Sequence, residues 1–174
     1  MKYSFDGRQP RIGTDTYVSE HALVIGDVTI GDSCYIGHGA ILRGDYGSIN
    51  IGQGTAVEEG VIVHAPPGET SEIGERVTMG HGAIIHSASI GRLSVIGMGA
   101  ILSIRSVIGE NTIIAEGGVV KMKQVIPGNV VAGGNPAKII RAIAPKDIEF
   151  WTWGKDLYIN LAKEYLEKGM HRVD

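Results

Sequence analysis

The chain has 174 residues, a formal charge of −3 and 43% hydrophobic side chains, which suits one domain with a sizeable core. Its near balance of charge, without any Lys/Arg block, gives no reason to expect nucleic acid as a partner. The opening MKYSFDGRQPRIG lacks an apolar signal segment and no 18-residue apolar run follows, so the expectation is a cytoplasmic protein with no membrane partner.

Residues 1–11 read as an irregular lead-in that covers the first coil of a repeat. From Ile12 an aliphatic residue falls at every sixth position, through Val18, Val24, Ile30, Ile36 and Leu42. After a three-residue slip the beat resumes at Ile51, Val57 and Val63, and after a four-residue slip at Ile73, Met79 and Ile85. It shortens once to Ile90 and then runs through Ile96, Leu102, Ile108, Ile114, Val120 and Ile126. A small residue sits four places after most anchors, for example Ala22, Cys34, Ala40, Ala83 and Ala100, and glycine often follows the anchor directly.

Neither 3.6 nor 2 is the period of this pattern. A six-residue beat with one large and one small inward residue suits short strands that meet at tight corners, where glycine relieves the backbone. Three such strands make an 18-residue coil, and stacked coils make a parallel β-helix in which each coil rests on its neighbours. Cys34 then falls at an inward small-residue phase and belongs to the core. The slips at Asp45-Tyr46-Gly47 and Pro66-Pro67-Gly68-Glu69 are expected to bulge as corner loops.

The solenoid is expected to fill residues 1–132, with 133–144 as a connecting segment and a helix of the same domain over 145–170. In KDIEFWTWGKDLYINLAKEYLEKG, the residues Ile148, Trp151, Leu157, Leu161, Tyr165 and Leu166 recur at helical spacing. Pro145 suits a first helical turn and Gly169 a stop, while Gly154 is expected to break or kink the helix. Trp151 and Trp153 read as packing residues against the outside of the prism.

Three of the six histidines, His64, His81 and His86, lie between Val63 and His86. With three strands per coil, Leu42, Val63, Ile85, Leu102 and Val120 stack on one face, so His64 and His86 occupy equivalent outward positions of successive coils. Strands about 4.8 Å apart bring two leaning imidazoles within reach of one ion. His81 follows Met79 on the neighbouring face and cannot readily join them within one chain. A single ion bound by all three needs a second copy, and a three-sided prism with one donor edge and one acceptor edge closes as a cyclic trimer. Three imidazoles leave a fourth position open, the geometry of a catalytic zinc. The other histidines, His21, His38 and His171, read as solvated surface residues.

The runs LRGD (Leu42 to Asp45), VIVH (Val61 to His64), GHGAIIH (Gly80 to His86), IGMGAI (Ile96 to Ile101), IGEN (Ile108 to Asn111) and GNPAK (Gly134 to Lys138) resemble the γ-class carbonic anhydrases of the hexapeptide-repeat superfamily. The resemblance covers essentially the whole chain. It implies a left-handed coil, a homotrimer with Zn2+ (or Co2+ or Fe2+) at its interfaces, His64 and His86 from one subunit with His81 from the next, and hydration of CO2 to bicarbonate. It also implies an interface network of Arg43 and Asp45 and a pocket tyrosine at Tyr158.

Where that family carries Asn-x-Gln-Asp, this chain reads Ala56-Val57-Glu58-Glu59. Glu58 replaces the amide that orients water. It is a candidate proton acceptor, or a charge that weakens attack on CO2, with Glu59 beside it as a further candidate. The family's acidic proton-shuttle loop is missing, with Tyr46 directly after Asp45, and Glu69 sits in the later loop. Slow hydration or a related chemistry is therefore expected. Two alternatives stay open: an acyl-CoA transferase or thioesterase of the hexapeptide type, and a non-catalytic metal-binding trimer.

Overall fold

The computed structural model describes residues 1–173. It is a left-handed β-solenoid of about seven turns with a single α-helix, α1 (Pro145–Lys168), along its outside. The six-residue beat sets three faces. The first carries, in parallel register, the start of the strand Ile41–Ile51 followed by Ile62–His64, Ile84–His86, Ile101–Leu102 and Val119–Val120. The second carries the end of Ile41–Ile51 and then Thr70–Ile73, Ser89–Ile90, Val107–Ile108 and Val125–Ile126. The third runs from Tyr17–Val18 and Tyr35–Ile36 through Ala56–Val57, Thr78–Met79, Val95–Ile96 and Ile113–Ile114 to Val130–Gly133.

The anchors point inward as the beat requires. Leu42, Val63, Ile85, Leu102 and Val120 are fully buried under the first face, and Ile36, Val57, Met79, Ile96 and Ile114 under the third. Cys34 is buried with them, its thiol pushed up to about 11 mainly by desolvation. Hydroxyls of Thr55 and Ser94, at the small-residue phase, link successive coils. Thr55 Oγ1 donates to Gly74 O at 2.9 Å and accepts from Val77 N at 3.1 Å, and Ser94 does the same with Gly109 O and Thr112 N. Each such hydroxyl satisfies backbone groups that a buried corner leaves unpaired.

Close coil stacking explains the corner glycines. A Cβ added to Gly109 would lie 2.6 Å from Gly128 Cα, backbone against backbone, with no flexible side chain to yield. Gly109→Ala is expected to lower unfolding stability by about 1–3 kcal/mol, the usual range for overpacking a tight core. A lower urea midpoint at unchanged m-value would show it.

Four expectations are corrected. The slip at Asp45-Tyr46-Gly47 does not leave the sheet: Ile41–Ile51 is one strand of 11 residues, and its extra residues form a bulge against Leu23–Ile30, where the register moves from Gly26↔Gly44 to Val28↔Ile49. Gly154 does not break α1, which runs through it from Pro145 to Lys168. It is buried, and a Cβ there would stand 3.5 Å from the Trp151 ring, an ordinary contact. The segment 133–144 holds a strand, Lys138–Ala142, antiparallel to Val130–Gly133, which adds a hairpin to the end of the third face. Trp153 is 61% exposed and has its ring beside Phe150, whereas Trp151 turns inward.

Helix α1 lies over the third face, against Tyr17–Val18, Tyr35–Ile36 and Ala56–Val57. Ala162 and Ala56 are both buried with Tyr35 in the packing between helix and sheet. Asp147 accepts the Ala144 N–H at 2.8 Å at the helix start, and Gly169, with φ 72°, donates to Tyr165 O at its end. No helix among the described residues is long and apolar enough to cross a membrane.

Candidate metal centre

The register that aligns the anchors also aligns what lies outside them. Arg43 pairs with His64, and His64 with His86, so the three side chains form an outward column on three successive coils. The imidazoles of His64 and His86 stack with centroids 5.1 Å apart and planes 24° apart. Each has a buried Nε2 with no hydrogen-bond partner. Burial, then the positive charge of Arg43 and the neighbouring His86, lower the His64 pKa, so this ring stays neutral with a lone pair available. Two desolvated, unpartnered nitrogens side by side cost free energy unless something binds them.

Arg43 Nη1 donates to Asp45 Oδ2 at 2.8 Å, and Asp45 Oδ1 accepts from the Tyr46 N–H at 3.0 Å. Burial would raise the Asp45 carboxyl, but the Arg43 hydrogen bond and charge bring it below the usual range. Its Oδ1 lies 3.7 Å from His64 Nε2, too far for a hydrogen bond and close enough to bias the ring's charge.

His81 occupies the corner between the third face and the first, and its side chain is half exposed. Its two ring nitrogens face two carboxylates: Nδ1 is 2.8 Å from Glu59 Oε2, and Nε2 is 3.1 Å from Glu58 Oε2. Glu58 Oε2 also accepts the His81 backbone N–H. Both carboxylates are held from behind. Tyr35 donates its hydroxyl to Glu59 Oε1 at 2.7 Å, and Tyr158 of α1 sets its hydroxyl beside Glu58. Glu58 is buried, which raises its pKa despite the nearby His81. Burial pushes Glu59 up too, but the hydrogen bond from Tyr35 and the charge of His81 leave it below the ordinary value.

The candidate residues thus fall into two clusters at opposite edges of the first face. One holds Arg43, Asp45, His64 and His86, and the other Glu58, Glu59, His81 and Tyr158. Among the described residues, no group of three His, Cys, Asp or Glu side chains within the chain could hold a metal ion. Glu69 is engaged elsewhere, in an ion pair with Arg105 and a 3.5 Å contact with Ser87 just after His86. His38, expected as a solvated residue, is instead half-buried under the helix, with Nδ1 2.6 Å from Ser19 Oγ and Nε2 3.4 Å from the Tyr165 hydroxyl. Tyr35 was not singled out from the sequence. Its signal is the register, which sets it one coil before Ala56 and so beside the strand that leads into Glu58 and Glu59.

No protein-family model matches the chain. A carbonic anhydrase from Geobacillus kaustophilus is 35% identical over 171 residues, 98% of this chain and 90% of that protein. The chain belongs to the γ-carbonic anhydrase and CaiE family. The carnitine operon protein CaiE of a Proteus strain, another member, is 36% identical over 85% of this chain and 75% of its own length. The mitochondrial γ-carbonic anhydrase 2 of Arabidopsis thaliana is 36% identical over 90% of this chain, which spans 58% of that longer protein. A crystal structure of a hexapeptide transferase family protein from Anaplasma phagocytophilum superposes with a TM-score of 0.91 at 30% identity, covering 95% of this chain and 98% of that one. Membership in the family accounts for the coil architecture.

Proposed function

We propose that the chain is a metal-dependent, carbonic anhydrase-like enzyme that interconverts CO2 and bicarbonate at sites shared between the subunits of a homotrimer. The observation that carries this reading is the in-register pair of buried, unpartnered Nε2 atoms on His64 and His86. The donor set fits a borderline cation, Zn2+ first, with Co2+ or Fe2+ equally acceptable to imidazole. His64 and His86 of one subunit with His81 of another would hold it. Such an ion supplies Lewis acidity that makes water nucleophilic at neutral pH.

The chain's own residues set the stage for that chemistry. Glu59, 2.8 Å from His81 Nδ1, would accept its N–H and turn Nε2 into the metal-binding nitrogen once an ion displaces the Glu58 contact at 3.1 Å. Arg43 neutralises Asp45 and pins it beside His64. Between the two clusters the first face exposes Ile62, Ile84 and Ile101 in a continuous column, each 38–39% exposed. Three prisms turned with this face toward a common axis bury that column and bring the edge with His81 against the edge with His64 and His86. Metal analysis together with solution mass tests the assembly: one ion per subunit and a three-chain mass are expected, and a metal-bearing monomer would refute it.

The family resemblance puts an amide where this chain carries Glu58, which makes Glu58 the residue that sets efficiency. Its carboxylate lies 3.1 Å from His81 Nε2, beside the place where anionic bicarbonate forms. Like charges about 5 Å apart repel by about 3 kcal/mol at an effective dielectric of about 20, and screening reduces this. Glu58→Gln keeps the shape and the acceptor for Tyr158, and is expected to raise CO2 hydration about tenfold in stopped-flow assays. A fall would instead assign proton acceptance to Glu58. The acyl-transfer alternative has support in the name of the Anaplasma structure, and a screen with CoA thioesters separates it.

A further inference from the structure

On the inner side of α1, away from the histidines, a lysine stands without a counter-ion. Lys155 is 3% exposed, and its Nζ makes no hydrogen bond among the described residues. Nζ lies 5.5 Å from the centre of the Trp151 ring. Both residues line a small cavity of about 30 Å3 between helix and third face, walled mainly by Val95, Ile113 and Ile148. By the rule that one water needs about 10–15 Å3, this space admits a molecule of two or three heavy atoms.

The acids nearby are already engaged. Asp147, the one acidic residue of the lining, is bound by Arg141 and by the Ala144 N–H. Asp156, next to Lys155 in the chain, accepts from Arg76 at 2.7 Å. Burial first, and then the positive charge of Arg76, pull the Lys155 amine down to about 8. An amine that sheds its proton so readily is a nucleophile for any electrophile small enough to reach it.

We propose that Lys155 is a CO2-modification site, its Nζ adding CO2 reversibly to form a carbamate within this cavity. The Nζ lone pair forms a bond to the carbon of CO2, one C=O π pair moves onto oxygen, and the nitrogen's proton leaves to water, so the step needs no other reactant. The aliphatic walls favour an uncharged triatomic over bicarbonate or a thioester. Asn111 and Thr152, also in the lining, offer an amide and a hydroxyl to the new carboxylate. The change of sign turns the repulsion between Lys155 and Arg76 into attraction. It fastens α1 one turn before Tyr158, the tyrosine beside Glu58, so the modification links dissolved CO2 to the setting of the proposed site. The adduct itself requires only dissolved CO2 and stands or falls apart from catalytic hydration.

The test uses the full chain in mildly alkaline buffer with 13C-labelled bicarbonate. A carbamate carbon resonance is expected, together with an alkylated adduct on the Lys155 peptide after trapping with a trialkyloxonium salt and mass spectrometry. Both should grow with dissolved CO2 and be absent in Lys155→Arg and Lys155→Met. The wild-type melting temperature should rise with CO2, and that of Lys155→Met should not. Adducts confined to exposed lysines or the terminal amine, or a resonance that persists in both variants, would overturn the proposal. The mass assignment in the wild-type protein decides the matter even if one variant fails to fold.

Discussion

His86→Ala is expected to strip the protein of its metal and to lower CO2 hydration by a factor on the order of 100 or more. The magnitude follows from affinities of structural zinc sites, about 10–16 kcal/mol over four ligands, or roughly 3 kcal/mol for each. At 1.4 kcal/mol per tenfold, removing one imidazole weakens binding about 100-fold. The subunit fold should survive, because His86 Nε2 makes no hydrogen bond within the chain and its removal leaves no partner stranded. His64→Ala should behave the same way, since His64 and His86 are in register and stacked. His171→Ala, at the exposed end of the chain, is the control and should leave metal content unchanged. Full metal occupancy in His86→Ala would move the ion away from this column altogether.

The six-residue beat made the core and the His64–His86 column legible, because in a solenoid one period decides both which residues point inward and which positions stack. That arithmetic has no purchase where the chain leaves the lattice. The Lys138–Ala142 strand pairs antiparallel to its neighbour and carries no anchor phase. The slip at residues 45–47 adds residues without a change of phase on the far side, and a bulge absorbs them as readily as a loop does. Gly154 was misjudged for a related reason. Helix propensity counts its missing side chain as a loss of about 1 kcal/mol, which the packing of a 24-residue helix on the sheet outweighs. His38 shows the limit most plainly: its partner Tyr165 is 127 residues away on α1, and no periodicity connects the two. The hand of the coil likewise came from the family resemblance, since the beat is the same for either hand.

The second large effect concerns the residue behind His81. Glu59 uses both oxygens, accepting from Tyr35 on Oε1 and facing His81 Nδ1 with Oε2. A glutamine offers one acceptor oxygen, so Glu59→Gln keeps both contacts only if the Tyr35 hydroxyl turns to accept, and it loses the carboxylate charge beside His81 in any case. Without its carboxylate partner His81 is free to swap tautomers and to turn, and metal affinity is expected to fall about 10–100-fold, the usual cost of losing such a support. Tyr35→Phe removes only the tyrosine's hold on Glu59 and should cost less, because the carboxylate keeps its contact with the ring. If Tyr35 acts solely through Glu59, the double variant Tyr35→Phe/Glu59→Gln should bind metal as Glu59→Gln does, a non-additive result that competition titration with a chelator can resolve. Additive losses would mean that Tyr35 supports the site by another route, and the stacked tyrosines under α1 are where that route would run.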